Sequence, residues 1–94
     1  MKTITIQIGN SDNKLTQIEW ADFIRRTNEA LSLIDLEIHF SGFSRPDAPW
    51  QNAAWVIVCH ESKIPLIRRN LSSLASAYRQ DSIALTVGQT EFVQ

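Results

Sequence analysis

One cysteine, two histidines and no long apolar run set the first limits on this 94-residue chain. The lone Cys59 excludes an internal disulfide framework and points to a reducing, cytoplasmic setting. The two histidines, His39 and His60, form no HxxxH or HExxH pair, and one cysteine cannot form CxxC, so no familiar metal-ligand spacing exists and no cofactor is expected. No stretch approaches the roughly 20 apolar residues of a membrane helix. Met1-Lys2-Thr3 leads straight into an alternating pattern, without the apolar core of a signal peptide. Charge of one sign is also missing. A formal net charge of −1 argues against generic nucleic-acid binding and against an acidic DNA mimic.

What remains is an ordinary globular composition, 44% hydrophobic and 20% charged, and a length that fits a single domain, 1–94, with one modest core. Ile4, Ile6 and Ile8 alternate with Thr3, Thr5 and Gln7, which predicts a half-buried strand. Gly9-Asn10-Ser11-Asp12-Asn13-Lys14 resembles a calcium loop in composition only and reads as a turn, since it lacks the terminal Glu. Thr16-Gln17-Ile18-Glu19 is a capping box, with Leu15 and Trp20 placed as a hydrophobic staple. Trp20, Phe23, Ile24, Thr27, Leu31 and Ile34 then recur at helical spacing and predict a helix from about Gln17 to Leu33, with Asp22, Arg25, Arg26 and Glu29 facing water.

Leu36, Ile38 and Phe40 alternate with Glu37, His39 and Ser41 in a second predicted strand. Ala53 to Cys59 is apolar on both faces, as a central strand is. Ser62 is placed to cap a second helix, with Pro65 in its first turn and Ile64, Ile67, Leu71, Leu74, Ala75 and Tyr78 as its buried stripe. Gln80-Asp81 turns the chain into a last strand, Ile83 to Val87, and Phe92-Val93 are candidates for a short edge strand.

The order β-α-β-β-α-β with right-handed crossovers predicts an α+β, ferredoxin-like two-layer sandwich, its first and third strands central and both helices on one face of an antiparallel sheet. The other face would carry Thr3, Thr5, Gln7, Glu37, His39, Ala84 and Thr86. From the third strand it would carry either Trp55, Ile57 and Cys59 or Val56, Val58 and His60. Either choice leaves an apolar strip that a homodimer, a partner, or a lid from the loop or tail would cover.

Between the second and third strands lies Gly42-Phe43-Ser44-Arg45-Pro46-Asp47-Ala48-Pro49-Trp50-Gln51-Asn52. Hairpin loops usually span two to five residues, and longer ones tend to be functional. Pro46 and Pro49 stiffen this one and lower the entropy lost on docking. Phe43, Arg45 and Trp50 are residue types enriched at binding hot spots. The plainer alternative is that Phe43 and Trp50 cap the open end of the core while Asp47 and Asn52 satisfy turn backbone.

Catalytic signals are weak. Cys59 and His60 are neighbours on a strand and point to opposite faces, which leaves Cys59 with His39 as the only conceivable nucleophilic pair. Packing as a small hydrophobe is the plainer role for Cys59. Base stacking of the kind used by RNA-recognition modules needs aromatics on the central strands, and Gln51 to Val58 offers only Trp55. Arg25-Arg26 and Arg68-Arg69 on the helices read as solvated faces, with a basic layer for an acidic partner or a phosphate backbone as the alternative.

The runs from Gly9 to Trp20, His39-Phe40-Ser41-Gly42, Pro49 to Trp55 and Tyr78 to Ala84 make the chain similar to a family of small uncharacterised single-domain proteins of bacterial and phage genomes. That resemblance carries no activity and no site residue. Its phage connection implies an inhibitor of a host defence complex, of the anti-CRISPR kind. The leading expectation is a non-enzymatic protein-interaction module that binds through Phe43, Arg45, Asp47, Trp50, Gln51 and Asn52, with Trp55 and His39 contributing from the sheet. A small dimeric α+β-barrel enzyme or ligand-binding domain is the alternative, and nucleic-acid binding through helix arginines is the third reading.

Overall fold

A computed structural model describes residues 1–45 and 47–94. The element order is β1 (Lys2–Gly9), α1 (Gln17–Ser32), β2 (Glu37–Phe43), β3 (Asn52–Cys59), a 3-10 turn (Glu61–Lys63), α2 (Ile64–Ala77) and β4 (Ala84–Gly88). The strands form one four-stranded sheet in the order β2-β3-β1-β4, with every neighbouring pair antiparallel. β1 and β3 therefore hold the central places. The fold is α+β, with one helix in the connection from β1 to β2 and the other in that from β3 to β4.

The strict alternation of β1 turns Ile4, Ile6 and Ile8 inward, where all three are buried. Opposite them, Trp55 pairs with Ile6 and Ile57 with Ile4, so Ala53, Trp55, Ile57 and Cys59 are the third-strand residues under the helices. Trp20, Phe23 and Leu31 of α1 and Ile67, Leu71 and Leu74 of α2 join them in one core. Phe23 stacks on Tyr78 with ring centroids 4.6 Å apart. Thr27, fully buried on α1, loses no hydrogen bond, because its hydroxyl donates to the Phe23 carbonyl at 2.8 Å.

α1 starts where the sequence says it must. Thr16 Oγ1 accepts from the Glu19 amide at 3.1 Å, and Glu19 Oε1 accepts from the Thr16 amide at 3.0 Å. Two amide donors that the helix leaves unpaired are thus satisfied reciprocally. The turn before it is held by Asn10, which is buried and brackets Leu15: its Oδ1 accepts from the Leu15 amide at 2.9 Å and its Nδ2 donates to the Leu15 carbonyl at 3.1 Å. Buried Asn10 is thus what closes this turn.

Four details depart from the sequence expectation. Ser62 does not cap α2; its amide donates to His60 Nδ1 at 3.1 Å, and His60 caps a 3-10 turn that precedes the helix. Tyr78 is buried as expected but lies at the C-terminal cap of α2, one residue past the helix, followed by Arg79 in the left-handed region at φ 57°. The last strand runs Ala84–Gly88, and Phe92-Val93 add no strand to the sheet. Finally, β2 extends through Phe43, which shortens the long connection to 44–51, and Pro46 with its expected stiffening lies outside the described residues.

A fifth departure matters more. The pairing of β2 with β3 shifts register between Ile38 and Phe40, a β-bulge at His39. Ile38 pairs with Ile57 on the helix side, but Phe40 pairs with Val56, and Val56 points to the open side. The bulge reverses every later residue of the strand. Phe40 and Gly42 go to the open face, while Ser41 and Phe43 turn to the helix side, opposite Trp55 and Ala53.

Candidate binding surface

The open face of the sheet is built from the residues that β1 and β3 do not bury. Val56 and Val58 pair with Thr5 and Thr3, Ala54 with Gln7, and on the far side Thr86 with Thr5 and Ala84 with Gln7. The β3 residues here are Val56 and Val58, one of the two sets left open by the sequence; His60 lies beyond the strand. The bulge adds Phe40, which stays 58% exposed beside this strip. The result is an apolar patch flanked by threonines, with Glu37 and His39 at its rim, 3.1 Å apart.

The C-terminal segment touches one corner of this face without covering it. The Thr90 and Thr3 hydroxyls share a hydrogen bond, and Phe92 borders a depression of about 320 Å³ with Met1, Thr3, His39 and Val58. Phe92 is nonetheless 86% exposed.

The loop and the end of β2 that leads into it each present an aromatic. Trp50 is 68% and Phe43 69% exposed, so neither is drawn into the core. Two bonds close the base of the loop: the Ser44 amide donates to the Asn52 carbonyl at 2.8 Å and the Asn52 amide to Ser44 Oγ at 3.0 Å. Asn52 Nδ2 also donates to the Trp50 carbonyl at 3.3 Å. Arg45 and Asp47 form an exposed ion pair at 3.1 Å, and the Ala48 amide closes a turn onto the Arg45 carbonyl at 3.0 Å. Exposed pairs of this kind add little stability, so the pair shapes the loop tip more than it holds the fold.

Gln51 is committed internally. Its Oε1 accepts from Asn10 Nδ2 at 2.9 Å and from Gln17 Nε2 at 3.1 Å, and its Nε2 donates to Gln17 Oε1 at 2.7 Å. Its carbonyl accepts from the Asn10 amide at 2.8 Å. These contacts moor the loop to the turn before α1 and leave Gln51 a scaffold residue.

Trp55 is not on the open face. It is 2% exposed, faces the helices, and donates from Nε1 to Asn28 Oδ1 on α1 at 3.2 Å. The expectation that it helps His39 from the sheet surface therefore fails on placement: alternation sends Trp55 inward and His39 outward. The same geometry separates His39 from Cys59, which is buried under the helices. Burial also pushes the Cys59 thiol upward, away from a thiolate.

Between α1 and the end of β2, Trp20, Ala21, Ile24, Phe43 and Gln51 line an apolar depression of about 300 Å³. Phe40 is the surface residue the sequence misplaced. Strict alternation put it with Ile38, and only Gly42, two residues on, hints at an aromatic needing space.

No helix among the described residues is long and apolar enough to cross a membrane. Comparison with known proteins finds no family model that matches the chain and no matching curated protein.

Proposed function

We propose that this chain is a non-enzymatic protein-binding module whose contact surface joins the 42–52 loop to the open sheet face. One observation carries the reading: Phe40 on the open face and Trp50 in the loop are left exposed on a frame that buries seventeen other hydrophobic residues, and Phe43, where β2 enters the loop, is exposed on the helix side. A chain able to bury Trp20 and Trp55 has no folding reason to display Trp50. The Ser44–Asn52 bonds and the Gln51 moorings hold the loop in place before any partner arrives, which lowers the entropy of docking.

We read the fold as a ferredoxin-like sandwich; its support is the order β2-β3-β1-β4 with a helix in each crossover. The alternative of a sheet-face enzyme using Cys59 and His39 loses ground, since they lie on opposite sides of the sheet. The resemblance to bacterial and phage proteins favours a host defence complex as the partner, bound by inhibition of the anti-CRISPR kind.

The test compares capture of bacterial lysate proteins by the wild type and by Trp50→Ala, Phe43→Ala and Arg45→Ala. Loss of a specific captured protein, with melting temperatures within about 4 °C of wild type, supports the reading, because exposed substitutions typically cost no more than about 0.5 kcal/mol. Unchanged capture, or a collapse in melting temperature, overturns it.

A further inference from the structure

Two hollows lie away from the loop, along the seam between α2 and the outer strand β4. One, of about 460 Å³, has an apolar wall of Leu71, Ala75, Ile83 and Leu85 and a polar one of Ser72, Ser82 and Asp81. The other, also about 460 Å³, has an apolar wall of Ile64, Pro65 and Val87 and a polar one of His60, Glu61 and Ser62. Arg68 of α2 borders both. Among the described residues its guanidinium has no ion-pair or side-chain hydrogen-bond partner. Arg25, Arg45 and Arg79, in contrast, are each paired with a carboxylate.

Among the described residues β4 pairs only with β1, so its outer edge offers unpaired amide and carbonyl groups. Leu85 and Val87 pair with Ile6 and Ile4 and so share the helix side of the sheet with the hollows. A strand laid on this edge sends alternate side chains into the seam, roughly 6.7 Å apart. Three successive inward residues then meet the apolar wall of one hollow, Arg68, and the apolar wall of the other.

We propose that the α2–β4 seam is a second protein-docking site, which takes an extended peptide of the pattern apolar–x–acidic–x–apolar by strand addition. The edge of β4 selects an extended backbone and the hollows select the outer apolar side chains. The unpaired Arg68 selects the central carboxylate, as a bidentate charge-assisted pair. Glu61 in one hollow disfavours an acid there, and Asp81 in the other does so less, since Lys14 Nζ lies 4.0 Å from its carboxylate. The site shares no residue with the loop surface and stands or falls separately from it.

The probe is a fluorescein-labelled synthetic heptapeptide, Thr-Leu-Thr-Glu-Thr-Val-Thr, titrated by anisotropy against the full chain at low salt. The expected result is saturable binding at least ten-fold tighter than that of the same peptide with glutamine in place of glutamate. N-methylation of alternate backbone amides removes the binding. Arg68→Gln abolishes the preference for glutamate, Arg68→Lys retains part of it, and Trp50→Ala leaves it unchanged. Amide shifts on titration map to β4 and α2. The proposal is overturned by no saturable binding, by equal binding of both peptides, by insensitivity to Arg68→Gln in a variant with wild-type circular dichroism, or by loss of binding in Trp50→Ala. It is equally overturned if the seam is filled by a second copy, seen as a dimer in sedimentation that Arg68→Gln dissociates.

Discussion

The Phe40 ring lies over Gly42, so close that a β-carbon on the glycine would stand 3.0 Å from the ring's Cζ. The pair exists because the bulge at His39 sends both residues to the open face. An aromatic laid over a glycine on an edge strand covers backbone that would otherwise be bare. Phe40→Ala should therefore abolish an upfield ring-current shift of the Gly42 Hα protons. The melting temperature should stay within a few degrees of wild type, since the side chain is already more than half exposed. Proton NMR with a thermal scan checks both. An unshifted Gly42 in the wild type would place the ring elsewhere.

The Tyr78 hydroxyl donates to the Asp22 carboxylate and links the end of α2 to α1. This bond, with help from Arg25, holds the Asp22 carboxyl below its usual 3.8. A depressed folded-state pKa gives stability that is complete above 3.8 and lost as pH falls through the lower folded value. Tyr78→Phe should accordingly melt below wild type at neutral pH, with the gap narrowing once the pH drops under about 3.8. On the alkaline side, burial and Asp22 push the Tyr78 phenol above 10.0. Its contribution is whole below 10.0 and fades as pH rises through the higher folded value. Since Tyr78 is the chain's single tyrosine, ultraviolet phenolate titration reads it directly.

Thr16→Ala removes the acceptor of the Glu19 amide at the start of α1. The expected cost is about 1 kcal/mol, which for a domain of this size lowers the melting temperature by roughly 4–8 °C. Thr16→Ser should recover most of it, because serine caps as well as threonine. Urea unfolding of the three proteins tests this, and equal midpoints would remove the capping box from the account of stability.

Cys59 should resist alkylation in the folded protein. It is buried beneath the helices and its thiol is pushed up by desolvation, so the reactive thiolate is scarce. Iodoacetamide should label it slowly at neutral pH and rapidly in denaturant. Fast labelling of the native chain would revive the enzyme alternative.

Much of the frame was legible because local chemistry specifies it. Thr16 and Glu19 are three residues apart and satisfy one another within a single turn, so the start of α1 needs no tertiary help. Ile4, Ile6 and Ile8 alternate with polar partners, which states both the strand and its buried side. The candidate surface was less legible. Phe43 and Trp50 are exposed as a contact loop requires, yet Gln51 is consumed by Asn10 and Gln17, residues far away in sequence. Trp55 differs from Trp50 only in lying within a strand whose parity was unknown.

The amino-acid order alone determined the sequence of elements, the cap of α1, the buried face of β1 and the central place of β3, because each follows from spacing along a few neighbouring residues. The tertiary structure decided which side of β3 lies under the helices, where β2 bulges, and that Arg68 stands between two hollows with no carboxylate partner among the described residues. A strand apolar on both faces has no phase of its own, so Ile6 and the helices above had to choose Trp55 over Val56. A bulge, likewise, is set by the pairing of two strands, and no single strand records it.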